Sequence, residues 1–124
     1  LSAFILSCSS PDQCPELVFD SNNQITNVDG EPFTGRCMIS SNGVKRSIQQ
    51  YLNGTDHGQW VFYFENGKIE TKGRFKDGNR VGAWKYYWPN GEIRQKSRYS
   101  NMGERTGNWI SYDSIGNILG TEKY

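Results

Sequence analysis

Few side chains in this sequence stand where chemistry could start. His57 is the single histidine. It ends the run Asn53-Gly54-Thr55-Asp56-His57-Gly58, whose glycines and Asx residues read as a turn. A serine nucleophile needs a histidine base that is itself held by a carboxylate, so any triad would have to pass through His57, and no motif surrounds the serines. The three cysteines, Cys8, Cys14 and Cys37, form no Cys-x-x-Cys pair, and with one histidine they do not make a zinc site. No glycine-rich phosphate loop or paired-carboxylate motif is present. The sequence therefore predicts a protein that binds rather than catalyses, with no catalytic residue, metal or cofactor.

Composition narrows the kind of binding. The 14 basic and 13 acidic side chains nearly cancel, which gives no strong field for nucleic acid. The halves differ, with 3 basic and 6 acidic residues over 1–57 and 11 and 7 over 58–124. The second half thus leans weakly toward an anionic partner or is simply a solvated sheet face. Aromatics reach 14% while all hydrophobic residues make up only 35%. That balance suggests a thin structure that buries large flat rings rather than a deep aliphatic core.

The elements that carry these residues repeat. Gly58-Gln59-Trp60, Gly82-Ala83-Trp84 and Gly107-Asn108-Trp109 fall at intervals of 24 and 25, and Gly35-Arg36-Cys37 lies 23 residues before the first. Asn42-Gly43, Asn66-Gly67, Asn90-Gly91 and Ile115-Gly116 form a second series in phase with it, and Asn53-Gly54, Asp77-Gly78 and Gly103 a third. Asn-Gly and Asp-Gly supply the positive φ values of two-residue hairpin turns. Recurring about every twelve residues with Tyr, Trp, Phe, Ile and Val between them, they predict an all-β, elongated antiparallel β-meander of stacked hairpins. The hairpins, about four copies of roughly 24 residues, form a single twisted or curled sheet.

The segments Gly58-Gln59-Trp60-Val61-Phe62-Tyr63-Phe64-Glu65-Asn66-Gly67-Lys68-Ile69 and Gly82-Ala83-Trp84-Lys85-Tyr86-Tyr87-Trp88-Pro89-Asn90-Gly91-Glu92-Ile93 resemble the MORN-type repeat in its bacterial variant form. The copy starting at Gly107 matches less well. The first copy departs at Cys37 and Ser41 and the last at Asp113, as capping repeats of a solenoid do. The resemblance covers residues 30–124. It implies an elongated sheet with scaffolding, membrane-proximal or protein-binding roles, and for some bacterial members toxin neutralisation. It supplies no catalytic residue.

Strand alternation then sorts the side chains into faces. A two-residue turn at Asn66-Gly67 would pair Phe64 with Ile69, Tyr63 with Glu70, Phe62 with Thr71 and Trp60 with Gly73, so that an indole lies over a residue with no side chain. One face becomes an aromatic slab: Trp60, Phe62, Phe64, Ile69 and Phe75, then Trp84, Tyr86, Trp88, Ile93 and Tyr99, with Trp109 beyond. The other carries Val61, Tyr63, Glu70 and Lys72, then Lys85, Tyr87, Arg94 and Lys96, and is mixed in charge with a single row of tyrosines, Tyr63, Tyr87 and Tyr112. The slab has three fates: packing on itself and on the segment around Leu17, Val18, Phe19 and Ile25; a protein interface, homotypic or not; or stacking on sugar rings. The tyrosine face is either structural, its rings lying along Lys and Arg stems, or a binding surface of Tyr63, Tyr87, Tyr112, Lys85 and Arg94.

The octet Leu1-Ser2-Ala3-Phe4-Ile5-Leu6-Ser7-Cys8 resembles the end of a bacterial lipoprotein signal peptide, with Ile5-Leu6-Ser7-Cys8 in the lipobox position. The alternative is a buried strand with a free thiol. The resemblance implies a lipid on Cys8, residues 1–8 as the signal remnant, 9–29 as tether and N-terminal strand, and 30–124 as the repeat domain. Cys14 and Cys37 then remain, as a disulfide closing a loop worth about 3 kcal/mol or as two buried thiols. The expected function is a membrane-anchored, cell-envelope lipoprotein, periplasmic or surface-facing. It would act as a protein-binding or scaffolding module that touches the membrane only through its lipid. Two alternatives are an immunity protein that neutralises a toxin and a binder of glycan or envelope polymer.

Overall fold

A computed structural model describes residues 3–4, 17–19, 24–27 and 29–124. Cys8 and Cys14 lie outside the described residues. Three short strands, β1 (Ala3–Phe4), β2 (Leu17–Phe19) and β3 (Ile25–Asn27), form a small antiparallel sheet. The repeat region forms a second sheet from β4 (Gly35–Ser41), β5 (Val44–Leu52), β6 (Thr55–Asp56), β7 (Gly58–Tyr63), β8 (Ile69–Lys76), β9 (Asn79–Tyr87), β10 (Ile93–Tyr99), β11 (Asn108–Tyr112) and β12 (Ile118–Lys123). Its order follows the chain from β4 to β12, with β6 pairing only β5. Every pairing is antiparallel. The expected meander is therefore present, and no described residue is helical.

The turns differ in type, and this accounts for the uneven intervals. Asn42-Gly43, Asn53-Gly54 and Asp77-Gly78 are two-residue turns with both residues at positive φ, closed by the pairs Ser41–Val44, Leu52–Thr55 and Lys76–Asn79. At Asn66-Gly67 the two-residue turn is replaced. The Gly67 N–H donates to the Phe64 carbonyl (3.0 Å) and the Phe64 N–H to the Lys68 carbonyl (2.8 Å). That is a three-residue loop with glycine alone in the left-handed region. The same bonds recur at Trp88–Glu92, Ser100–Glu104 and Asp113–Asn117. A two-residue loop at 42–43 shortens the first interval to 23, and a three-residue loop at 101–103 lengthens a later one to 25.

Each hairpin then recovers its register through a bulge. Tyr63 pairs with Ile69, but Phe62 pairs with Thr71 and Trp60 with Gly73, so Glu70 is left over. Corresponding shifts leave Arg46, Arg94 and Leu119 unpaired in the other hairpins. A bulge re-aims the side chains around it. Ile69, Ile93 and Ile118 thus pair with Tyr63, Tyr87 and Tyr112, which puts Ile69 and Ile93 on the tyrosine face and not on the slab.

The slab is filled by a chain of rings across the whole sheet. Phe33, Tyr51, Trp60, Phe75, Trp84, Tyr99, Trp109 and Tyr124 follow one another with centroids 4.8–6.4 Å apart, mostly edge to face. Each such pair is worth about 0.5–1.5 kcal/mol beyond its area burial. Small residues lie in the same buried layer: Ser47, Thr71 and Ser97 are buried with them. Gly73 is paired with Trp60, yet the indole above it is that of Trp84 from the following repeat, whose ring atoms would lie 2.1 Å from an added Cβ.

The N-terminal end of the slab is closed by β3 and the following segment. The Ile25 N–H donates to the Gly54 carbonyl (3.0 Å), and the Gly54 N–H to the Phe33 carbonyl (2.8 Å). Ile25, Cys37, Tyr51 and Trp60 form a buried cluster against which Phe33, Ile39, Phe62 and Phe75 pack. Cys37, in the tryptophan slot, is fully buried and disulfide-bonded; the bridge expected with Cys14 falls on an undescribed residue.

Gly73→Ala is expected to destabilise the protein by about 1–3 kcal/mol, because the methyl group must displace the Trp84 ring. Gly120→Ala, where a Cβ meets nothing within 4 Å, is expected to stay within about 0.5 kcal/mol of the parent. Urea unfolding of the two variants checks the pair, and equal midpoints would contradict the packing described.

Candidate functional site

Each repeat tryptophan is anchored the same way. The Gly of Gly-x-Trp holds a positive φ, 75° at Gly58, 67° at Gly82 and 70° at Gly107, a conformation that costs glycine little. The strand bends there, and the indole N–H donates to a carbonyl of the preceding repeat: Trp60 to Gln50 (2.8 Å), Trp84 to Arg74 (3.1 Å) and Trp109 to Arg98 (3.1 Å). Trp88 reaches forward instead, to the Tyr112 carbonyl at 3.1 Å. Trp84 is only 1% exposed and Trp60 9%. Phe62, Phe64, Tyr86, Trp88 and Trp109 are half-buried.

Arginines close the slab from outside. The Arg80 guanidinium lies 4.9 Å from the Trp84 ring and 5.9 Å from that of Tyr99. One repeat on, Arg105 covers Trp109 (5.0 Å) and Tyr124 (5.5 Å). Arg94, expected beside the tyrosines, instead sits over Tyr86 and Trp88 at 5.8 and 5.7 Å; it is the bulge residue, and the bulge turns it to the aromatic face. Beside it an open depression of about 340 Å3 is lined by Phe64, Glu70, Tyr87, Trp88, Pro89 and Arg94. Stacked guanidinium groups contribute about 0.5–1 kcal/mol each at exposed sites.

The opposite face is built of pairs. Tyr63, Tyr87 and Tyr112 are half-buried, and lysine ammonium groups lie over their rings: Lys45 over Tyr63 at 4.2 Å, Lys72 over Tyr87 at 5.8 Å and Lys96 over Tyr112 at 5.8 Å. Lys85 pairs across the sheet with both Lys72 and Lys96. The structural reading of the tyrosines thus holds as far as their lysine partners go, and it leaves the lysines themselves toward one face.

Asparagines in the loops join neighbouring repeats. Asn66 accepts the Lys68 N–H with its own carbonyl oxygen and donates its amide to the Pro89 carbonyl (both 2.9 Å). Asn90 does the same with Glu92 (2.9 Å) and Ser114 (2.8 Å). In the last loop, Ile115 stands in this slot. Asp113 accepts from the Asn117 and Ile115 backbone N–H groups (2.8 and 3.0 Å), and the bond from Asn117 chiefly holds its carboxyl below the usual range.

The first repeat departs where Arg80 and Arg105 have their counterpart, at Asp56. Burial pushes its carboxyl above the ordinary value. Burial first, then the Asp56 charge, push the neighbouring Tyr51 phenol upward. His57 donates its backbone N–H to the Gln50 carbonyl (2.9 Å), while its Nδ1 is buried and finds no partner among the described residues. It lines a shallow hollow with Thr34, Gln50, Tyr51 and Leu52, and no described group of three metal-ligating side chains includes it.

Sequence reasoning missed Tyr51 and Tyr124 as slab members, the arginine caps and the asparagine bridges. A signal for the first was present: Tyr51, Phe75, Tyr99 and Tyr124 recur at 24, 24 and 25 residues.

Fold and faces define a single-sheet repeat module with one aromatic, self-packed side. Residues 56–77 and 80–101 match the MORN repeat variant family, so the two central copies are MORN-type repeats. Comparison with curated proteins gives no match. Among solved structures, the crystal structure of the GtfA/B complex bound to UDP and GlcNAc is similar at a TM-score of 0.41 and 19% identity, over 82% of this chain and 25% of that one. The chain thus spans about a quarter of that relative's length.

Asp56→Asn is expected to raise the melting temperature at neutral pH, because a carboxylate that ionises with difficulty in the fold costs stability while it is charged. The folded state holds the proton more readily than the unfolded chain, so the parent gains stability as pH falls through the folded-state pKa. The advantage of the variant is full above that pKa and closes below roughly pH 3.9, the unfolded value. Thermal melts from neutral pH downward measure the gap; one that persists near pH 3 would rule out burial of the charge as its cause.

Proposed function

We propose that this chain is a non-enzymatic repeat module of the bacterial cell envelope, tethered by a lipid on Cys8, which binds a protein partner through its tyrosine face. The observation that carries this reading is the unequal use of the two sides. The aromatic side spends its largest rings on one another, with Trp60 and Trp84 buried within the chain. A homotypic interface or sugar stacking would need those rings bare. The tyrosine side offers a broad, regular surface of amphipathic rings and long charged stems, the composition of an adaptable protein-binding surface. Among the described residues no helix is long and apolar enough to cross a membrane.

Two measurements test the reading. Affinity purification of the full protein from its own envelope is expected to recover a specific partner that is lost when Tyr63, Tyr87 and Tyr112 are all changed to Ala. Recovery unaffected by the triple change would place binding elsewhere. Metabolic labelling with palmitate is expected to mark the protein and to vanish in Cys8→Ser; an unlabelled parent protein would remove the lipid from the proposal.

A further inference from the structure

We propose that the tyrosine face takes an acidic polypeptide segment, laid across the row Lys72–Lys85–Lys96. The inference rests on the protein-binding reading above and specifies the chemistry of the partner. Successive cross-strand pairs run Met38, Ile48, Val61, Lys72, Lys85, Lys96, Ile110 and Thr121 from one end of the sheet to the other. The row is apolar at one end and carries three adjacent lysines at its centre. Neighbouring strands lie about 4.8 Å apart, and like charges placed directly opposite destabilise a sheet. Arg74 and Arg98, two residues further along β8 and β10, lie on the same face by strand alternation and are exposed.

Among the described residues no carboxylate is paired with this charge, and the only partners of Lys72 and Lys96 there are the Tyr87 and Tyr112 rings. None of the five basic residues has an ion pair among the described residues. The acids of this half lie elsewhere. Glu65, Asp77, Glu92, Glu104 and Asp113 sit in or beside hairpin loops. Glu70, the bulge residue, lines the depression at the sheet edge between Trp88, Arg94 and Tyr87, beyond the lysine row, and Glu122 pairs with Trp109 on the aromatic face. The sheet therefore carries an unfavourable cluster at the centre of this row, with the complementary charge left for a partner to supply.

The surroundings favour a polypeptide over other polyanions. A nucleic acid strand binds flat platforms by stacking its bases on aromatic rings, but an ammonium already lies over each of Tyr63, Tyr87 and Tyr112. A base would have to displace it, whereas a carboxylate is drawn to it. The net charge of +1 provides little long-range attraction for an extended polyanion or a charged bilayer; the positive charge is local and suits a short segment. In an extended segment, side chains on one side recur about every 6.7 Å. Carboxylates at alternate positions can thus meet successive lysines through their flexible stems, with Tyr87 and Tyr112 beside them.

Selection of a phage-displayed library of random peptides on the intact protein tests this, followed by affinity measurement of the best recovered segment as a synthetic peptide. Recovered segments are expected to carry Asp or Glu at alternate positions, and binding to weaken with added salt. Lys85→Glu is expected to weaken binding about tenfold or more and at the same time to raise the melting temperature by about 2–4 °C, since it replaces two like-charge pairs by two opposite ones. Lys85→Gln is expected to fall between. A merely structural role would move melting and binding together, so opposite movement is the signature. Recovery of neutral or basic segments overturns the inference, as does unchanged affinity in Lys85→Glu. It is also overturned if a single-stranded oligonucleotide or phosphatidylglycerol vesicles bind the parent more tightly than the selected peptide. A natural partner that depends on the tyrosines and ignores Lys85→Glu would defeat this inference while leaving the proposed function standing.

Discussion

In each of the three repeats that carry Gly-x-Trp, an indole N–H is donated backwards to the carbonyl of the strand before it, while the same ring packs between two aromatic neighbours. The bond satisfies a buried donor that would otherwise cost about 1–3 kcal/mol. It also fixes the ring flat across the junction between hairpins. Among the described residues no second layer lies against the aromatic face of the central repeats, and burial there comes from within the face itself. Rings large enough to span strand to strand, laid over serine, threonine and glycine, provide it. Trp84 is almost completely buried on these terms, and the stacked arginines take the place that a covering helix would hold in another fold.

The bulges follow from the same demand. Three-residue loops shift the pairing by one residue, and a shift of one would send every side chain to the wrong face. In the three hairpins with such loops, the unpaired Glu70, Arg94 or Leu119 restores the register before the tryptophan is reached; the first hairpin carries its bulge at Arg46 beside a two-residue loop. Its cost is a change of side for the few positions between loop and bulge. That is how isoleucines come to face tyrosines while the arginine at the bulge joins the aromatic face. The tyrosine surface, on which the functional reading rests, is thus a by-product of the loop geometry needed by the opposite side.

Much of this was legible because the repeat signals are local. Glycine and asparagine spacing reveals the turns, and Gly-x-Trp gives the phase of the rings. The pairing of Trp60 with Gly73 follows correctly from the assumed turn even though the turn itself is different, since loop and bulge compensate. The intervening positions were not legible for the same reason: a bulge has no residue type of its own, and Arg46, Glu70, Arg94 and Leu119 share nothing in sequence. Asn66 and Asn90 look like residues chosen for positive φ, but they act through their amides, bridging adjacent loops. That role depends on the neighbouring loop and cannot be read from one hairpin. The seat of β3 on Gly54 likewise depends on contacts distant in sequence.

The backward indole bond makes the sheet directional. Each of the two central repeats supplies the acceptor for its successor and the donor for its predecessor, so its two sides are chemically unlike, much as the ends of a filament are. On the side of the first repeat the row of rings is finished by Phe33 and the buried Cys37; on the side of the last, the Lys123 carbonyl lies in the acceptor register. Because the joint is identical at each step, the unit of change is a whole period. Losing one central repeat would bring donor and acceptor back into contact across the gap. Losing half of one would set two tryptophans or two carbonyls against each other, and the same total of buried surface would no longer hold together. Length in such a protein can therefore vary in evolution only in whole-repeat steps, with single-residue differences absorbed in loops, as the extra residue at 101–103 is.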